Sequence, residues 1–306
     1  MRCEVIMKLN ECEKENQKLR GQILLPVSLV LLQSLLYGFG DPITKEAFEV
    51  MPVFSMLTIR YSIAFAALML LFGKQIVFDL RKTVVREWLA PSICVAFTYI
   101  LNNIALAFAA ATSVAFLRSL VTIITPLLSW ILLRTHYGRK QIAVQVLVLP
   151  GMYLLCGQGG LSGFGVGEVF AILSAVFMAG SLVTGARSLE QISPVTLTAV
   201  QSGVSALLAG LCALFVEGGI QDTGSLSLKI WGIILYLALA CTLAGYLLQN
   251  LALKQLSSRM VALLQCTCPV MTSVFSYLLL EERLSPAGMI GAGIILLCVI
   301  VDLLWS

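Results

Sequence analysis

The chain has 306 residues, 59% of them hydrophobic and 12% charged, with a net charge of +4 and a mean hydropathy of +0.95. Soluble domains carry about a quarter charged residues, so a soluble fold of this length is excluded for want of polar surface, and the apolar surplus has to face lipid. The basic residues are spread over separate loops, which excludes a nucleic-acid-binding patch.

A helix needs about 20 residues to cross roughly 30 Å of hydrocarbon, and ten apolar blocks of suitable length follow one another. Residues 1–21 are polar and mixed in sign, and are read as a cytoplasmic N-terminal segment. No small-residue cleavage site follows the first block, Gln22–Gly40, so it is read as an uncleaved first span and not a signal peptide. Pro52–Phe72 carries Arg60, and Trp88–Ala110 carries Tyr99, Asn102 and Asn103. Thr112–Leu133 carries Arg118 and Pro126, and Gln141–Cys156 closes the first half. A glycine-rich connection over 157–166 leads to Gly167–Ala186 and then to Pro194–Phe215, which carries Gln201. Ile230–Leu251 holds Tyr246, Gln249 and Asn250; Met260–Leu280 holds Gln265 and Pro269; Pro286–Leu304 is the last block. Continuous apolar runs favour helices, since barrel strands alternate with a period of two.

Fifteen of the 20 Lys and Arg residues lie before the first span or after spans two, four, six and eight. Lys45, Lys229 and Arg283 lie on the opposite side, and Arg60 and Arg118 inside spans. The positive-inside rule then places both termini in the cytoplasm and supports an even number of spans.

The nine cysteines fall mostly within spans, with no zinc-site spacing, and are read as packing residues. His136, the single histidine, falls in a short loop. No nucleophile–base–acid set, phosphate loop or carboxylate pair is present in a pocket-forming pattern. Neither an enzyme, a cofactor nor a metal is therefore expected.

The chain matches itself at an offset of 147. Tyr99–Leu133 laid over Tyr246–Leu280 gives 12 identities in 35 positions, including Tyr99 with Tyr246 and Asn103 with Asn250. At an offset of 142, Gly38 meets Gly180, Lys45 meets Arg187 and Pro52 meets Pro194. Two halves of five spans result, 22–156 and 167–306. Five is odd, so the second half enters the membrane from the other side, an arrangement recurrent in carriers. The expected fold is an all-α integral membrane protein of ten transmembrane helices as two inverted five-helix repeats.

The second half resembles the EamA-type domain of the drug/metabolite transporter superfamily. The resemblance rests on Tyr246-Leu-Leu-Gln-Asn-Leu-Ala-Leu253, Val261-Ala-Leu-Leu264, Pro269, and Leu279-Leu-Glu-Glu-Arg-Leu-Ser285 with Gly288 and Gly291. Arg60 also stands where such domains often carry arginine. The first half departs from the pattern: it reads Arg134-Thr-His-Tyr-Gly-Arg-Lys140 where the Glu-Arg-Leu-Ser run would fall, and Arg118 puts a charge in a usually apolar span. The resemblance implies a ten-helix bundle that exports or exchanges small metabolites, amino acids and amines among them, coupled to a proton or solute gradient. No nucleotide-binding motif points to ATP.

Ionised groups at membrane depth are expensive and face a cavity or a partner. Arg118 either binds an anionic group or serves a buried ion pair or a snorkelling contact; its repeat mate, Gln265, is also polar. Arg60 either lines the same cavity or pairs with Asp41 or a helix carbonyl end. Tyr99, Asn102 and Asn103, repeated as Tyr246, Gln249 and Asn250, either line a solute site or bond between helices; Gln201 is of the same kind. Pro126 and Pro269 are hinges or static kinks. Glu281 and Glu282 mark a helix end. The expected function is a secondary active transporter of a small zwitterionic or anionic metabolite in the cytoplasmic membrane, with a broad-specificity drug exporter as the alternative. Its partners are lipid and solute; protons and a homodimer stay open.

Overall fold

The structure, a computed structural model, describes residues 2–109, 111–156, 165–220, 226–280 and 285–305. The connection at 157–164 and the acidic pair Glu281 and Glu282 lie outside the described residues. Where apolar blocks alternate with short polar connections, helices keep every backbone N–H and C=O bonded inside lipid. The helices are α1 (Arg2–Val50), α2 (Val53–Lys82), α3 (Val85–Phe108), α4 (Ala111–Arg118), α5 (Val121–Leu133), α6 (Arg139–Cys156) and α7 (Val166–Ser188). There follow α8 (Pro194–Val216), α9 (Leu228–Tyr236), a π-helical stretch Leu237–Ala244, α10 (Gly245–Leu253), α11 (Ser258–Gln265), α12 (Thr267–Leu280) and α13 (Pro286–Trp305).

Among the described residues, eight stretches are long and apolar enough to cross a membrane: Ile23–Val50, Val53–Lys82, Val85–Ala105, Val114–Leu133, Val166–Ser188, Pro194–Val216, Leu228–Leu253 and Pro286–Leu304. The other two expected spans fare differently. Gln141–Cys156 lies in α6, which opens on Arg139 and Lys140, and Met260–Leu280 is divided between α11 and α12. Helices also outrun the apolar blocks. α1 starts at Arg2 inside the polar segment and continues past Gly40, and α2 continues past Phe72 to Lys82. Polarity marks where lipid should end, whereas Lys, Glu, Gln, Leu and Arg are good helix formers and carry the backbone onward.

The expected fourth block is interrupted at Ser119–Leu120, ahead of Pro126, which lies inside α5. There the N–H groups of Ser119 and Leu120 bond three residues back, at 3.0 and 3.2 Å, while Ser119 Oγ donates to the Phe116 carbonyl at 2.6 Å. Hydroxyl back-bonding of this kind competes with the helix ladder. The ninth block breaks at Cys266, and Pro269 is the third residue of the following α12, where its missing N–H costs least.

Glycines set the closest approaches. A Cβ on Gly38 of α1 would lie 2.6 Å from Met271 Cβ and 2.8 Å from the backbone of α12. A Cβ on Gly291 of α13 would lie 2.5 Å from the Gly151 carbonyl oxygen of α6. Small residues let backbones touch where lipid supplies no hydrophobic drive. Gly38→Ala is therefore expected to lose about 1–3 kcal/mol by overpacking, read as a lower melting temperature in detergent; an unchanged melt would mean that α1 and α12 do not meet this closely.

α2 and α8 run side by side and cap one another. Glu217, at the end of α8, accepts from Phe54 N–H at 2.7 Å, Ser55 N–H at 2.8 Å and Ser55 Oγ at 2.7 Å. Asp79, near the end of α2, accepts from Thr196 Oγ1 at 2.6 Å and Ser193 Oγ at 2.8 Å at the start of α8. Each carboxylate thus meets the positive end of the other helix. Glu217→Ala removes one cap and is expected to lower stability by about 1–2 kcal/mol, checked in the same melts.

Candidate functional site

The expected polar residues separate into a central group and an outlying group. Arg60 projects from α2 and is buried. Its Nε donates to Thr242 Oγ1 at 2.6 Å, and that hydroxyl donates in turn to the Leu237 carbonyl at 3.0 Å, five residues back along the π-helical stretch. π-helical turns insert a residue into the ladder and are frequent at functional sites; here the insertion holds the hydroxyl that Arg60 meets. The Arg60 guanidinium lies 5.7 Å from the Tyr61 ring centroid. Among the described residues no carboxylate pairs with it. The Asp41 side chain, its expected partner, lies outside the described residues.

Three tyrosine rings from three helices gather beside this arginine. Tyr99 of α3 stacks on Tyr246 of α10 at 5.9 Å and 28°, and Tyr61 stands 6.2 and 6.3 Å from those two. Tyr246 Oη donates to Tyr61 Oη at 3.3 Å. Tyr99 and Tyr246 are matched by the offset of 147, so the repeated tyrosines touch each other. Tyr37 of α1 packs on Gly245, where a Cβ would lie 2.6 Å from the ring.

One turn further along α10, the Gln249 side-chain carbonyl accepts from Gln265 Nε2 at 2.8 Å and from Gln33 Nε2 at 3.1 Å. This joins α10 to α11 and α1. Among the described residues, two buried polar atoms in this region, Gln33 Oε1 and Asn102 Oδ1, have no hydrogen-bond partner. Buried polar atoms are nearly always partnered, so these mark a surface suited to a polar guest.

The remaining expected residues lie apart from this group. Asn250 Nδ2 donates to Gln201 Oε1 at 2.8 Å and to Thr198 Oγ1 at 3.0 Å, which ties α10 to α8. Asn103 Nδ2 donates to the Tyr99 carbonyl of its own helix at 2.8 Å. Arg118 ends α4 at the helix break, half-buried, and no hydrogen bond or ion pair joins it to the tyrosines or amides.

Tyr61, Tyr37, Gln33 and Thr242 escaped the sequence reading. Gln33 and Tyr37 are four apart, on one helix face, and a search for polar pairs inside the first block would have found them. A second polar group was also missed. Arg259, expected in a loop, is the second residue of α11 and is buried beside Asp302 of α13, with Nη1 to Oδ1 at 2.6 Å.

A family model described as the EamA-like transporter family matches residues 24–157 and 165–303. An uncharacterized transporter of Archaeoglobus fulgidus is 25% identical over 270 residues, covering 88% of this chain and 83% of its own. A second from that organism is 24% identical over 264 residues, covering 83% of this chain and 89% of its own. The uncharacterized transporter YcbK of Bacillus subtilis is 25% identical over 170 residues, about half of each chain. One solved crystal structure shares the fold with a TM-score of 0.77 at 18% identity, covering 94% of this chain and 97% of the other.

Proposed function

The chain belongs to the EamA-like transporter family, and from that premise we propose that this multi-pass membrane protein is a secondary active transporter. It exports or exchanges a small zwitterionic or anionic metabolite, such as an amino acid, across the cytoplasmic membrane. Its ten spans form two inverted five-helix repeats, 22–156 and 167–306, with both termini in the cytoplasm. The 15-to-3 division of basic residues supports that orientation, and the contact of Tyr99 with its repeat mate Tyr246 supports a site where the halves meet.

The observation that carries the substrate class is Arg60. A guanidinium has five N–H donors in a fork that matches a carboxylate, and among the described residues only Nε is committed, to Thr242. The substrate's carboxylate takes the outer face of that fork. The tyrosines flank its carbon skeleton, and Gln249 with Gln265 meets its further polar groups. Low dielectric inside the bundle strengthens the charge–charge contact, and rocking of one repeat against the other exposes the site to each side in turn. A broad exporter of cationic drugs fits less well, because an unneutralised arginine repels cations and a carboxylate would be needed in its place.

The test is uptake into proteoliposomes of a labelled panel of amino acids, amines and organic anions, with and without a proton gradient. Saturable uptake of an anionic or zwitterionic solute is expected, and any gradient dependence identifies the coupling ion. Uptake confined to cations would overturn the assignment in favour of the drug exporter.

A further inference from the structure

A buried polar cluster closes one end of the bundle, at a distance from the tyrosines. Arg259 and Asp302 are 2% and 1% exposed and meet at 2.6 Å. Gln145 of α6 donates to the Arg259 carbonyl at 3.3 Å, and the Tyr137 ring lies 5.6 Å from the guanidinium. Next to Arg259, Ser258 Oγ hydrogen-bonds Ser129 Oγ of α5 at 2.9 Å. The cluster sits where α5 and α13 end and where α6 and α11 begin, so it gathers ends of the two sequence halves.

Two features separate this cluster from ordinary packing. Desolvation offsets most of the attraction of a buried ion pair, and apolar residues would hold these helices as well. What charge adds is a discrete alternative: the Arg259–Asp302 contact is either made at 2.6 Å, away from water, or parted with both charges hydrated. The cluster is also unrepeated, since at the offset of 147 Arg259 corresponds to Thr112 and Ser258 to Ala111. α11 further spans the distance to the central group. Gln265 ends the same short helix, six residues from Arg259, or about 9 Å along the axis, and the break at Cys266 frees α11 from α12.

We propose that the Arg259–Asp302 pair is a latch that holds one end of the central site shut, with α11 as the lever connecting it to Gln265. The inference rests on the carrier reading and names the contact that controls access from one side, the cytoplasmic side in the orientation proposed above. When the pair parts, water enters and hydrates both charges, and the half-helix that holds Gln265 moves with Arg259.

Access can be read without knowing the substrate. Asn102→Cys reports on the central region and is reacted with a membrane-impermeant maleimide in inside-out and right-side-out vesicles, with the parent chain's labelling subtracted. Ser129→Cys and Ser258→Cys are added to that variant, since hydroxyls 2.9 Å apart place two cysteines within disulfide reach. Cross-linking is expected to lower labelling from the latch side by about tenfold or more, with recovery on reduction and no change from the other side. Asp302→Asn raises latch-side labelling, and the exchange Arg259→Asp with Asp302→Arg returns it to the parent rate. Latch-side labelling that persists at the parent rate in fully cross-linked protein overturns the latch, whether or not Asp302→Asn folds. Because the readout is access and not flux, a chain that obeys these expectations yet moves no solute in the uptake panel loses the carrier reading alone.

Discussion

Arg60→Gln is expected to lower uptake of an anionic or zwitterionic solute by roughly 10- to 100-fold while leaving the protein folded. A hydrogen bond to a charged group contributes about 1.5–3 kcal/mol, and each 1.4 kcal/mol is about a factor of ten in affinity. Glutamine keeps a donor near Thr242 Oγ1, which Arg60 meets at 2.6 Å, and removes the charge and the fork. Arg60→Lys is expected to recover only part of the loss, because an ammonium is a point charge that cannot grip a carboxylate through two parallel bonds. Arg118→Gln provides the contrast. Arg118 is half-buried at the end of α4 and unjoined to the tyrosines, so uptake in that variant should stay within about threefold of the parent, a change below the worth of one charged hydrogen bond. If Arg118→Gln abolishes uptake and Arg60→Gln spares it, the solute site lies at the break between α4 and α5, and Arg60 is a structural arginine bound to the π-helical stretch.

The second large effect concerns stability. Removing one partner of the Arg259–Asp302 pair takes the 2.6 Å contact away from a charge that is 1–2% exposed, and breaking a buried pair in this way costs about 3–5 kcal/mol. Arg259→Gln and Asp302→Asn should each produce a clear fall in unfolding temperature in detergent. The double replacement Arg259→Met with Asp302→Leu removes both desolvation penalties, and its stability should return to the parent value or exceed it. The expected result is therefore strong non-additivity, with the double variant more stable than either single one. Additive losses would show that the pair is hydrated and contributes as an ordinary surface contact. A stable double variant would also be informative about the latch, since the ends it joins would then be held by packing that has no aqueous alternative.

Much of this protein can be read from its sequence, for a physical reason. Lipid imposes one rule on every residue of a spanning helix, so eight of the ten expected apolar blocks fall, among the described residues, in stretches long and apolar enough to cross a membrane. Charged and amide side chains stand out against that background because their burial is costly, and this is what singled out Arg60, Gln249 and Gln265 as candidates, whereas Tyr99 and Tyr246 came from the repeat at an offset of 147. Hydropathy does not record helix ends, and so α1 and α2 outran their apolar blocks. Nor does it record whether a polar residue faces a cavity or a neighbouring helix. Gln249 and Asn250 are adjacent in sequence, yet Gln249 joins the central amides while Asn250 ties down α8, because consecutive residues on a helix point about 100° apart. The breaks at Ser119–Leu120 and Cys266 and the π-helical stretch likewise follow from local competition for backbone hydrogen bonds, which no composition window sees. Arg259 and Asp302 are the clearest case. Read along the chain they are a loop cation and an acid near the end of the last block, 43 residues apart; only the packing of α11 against α13 buries them together and makes one charge the condition for the other.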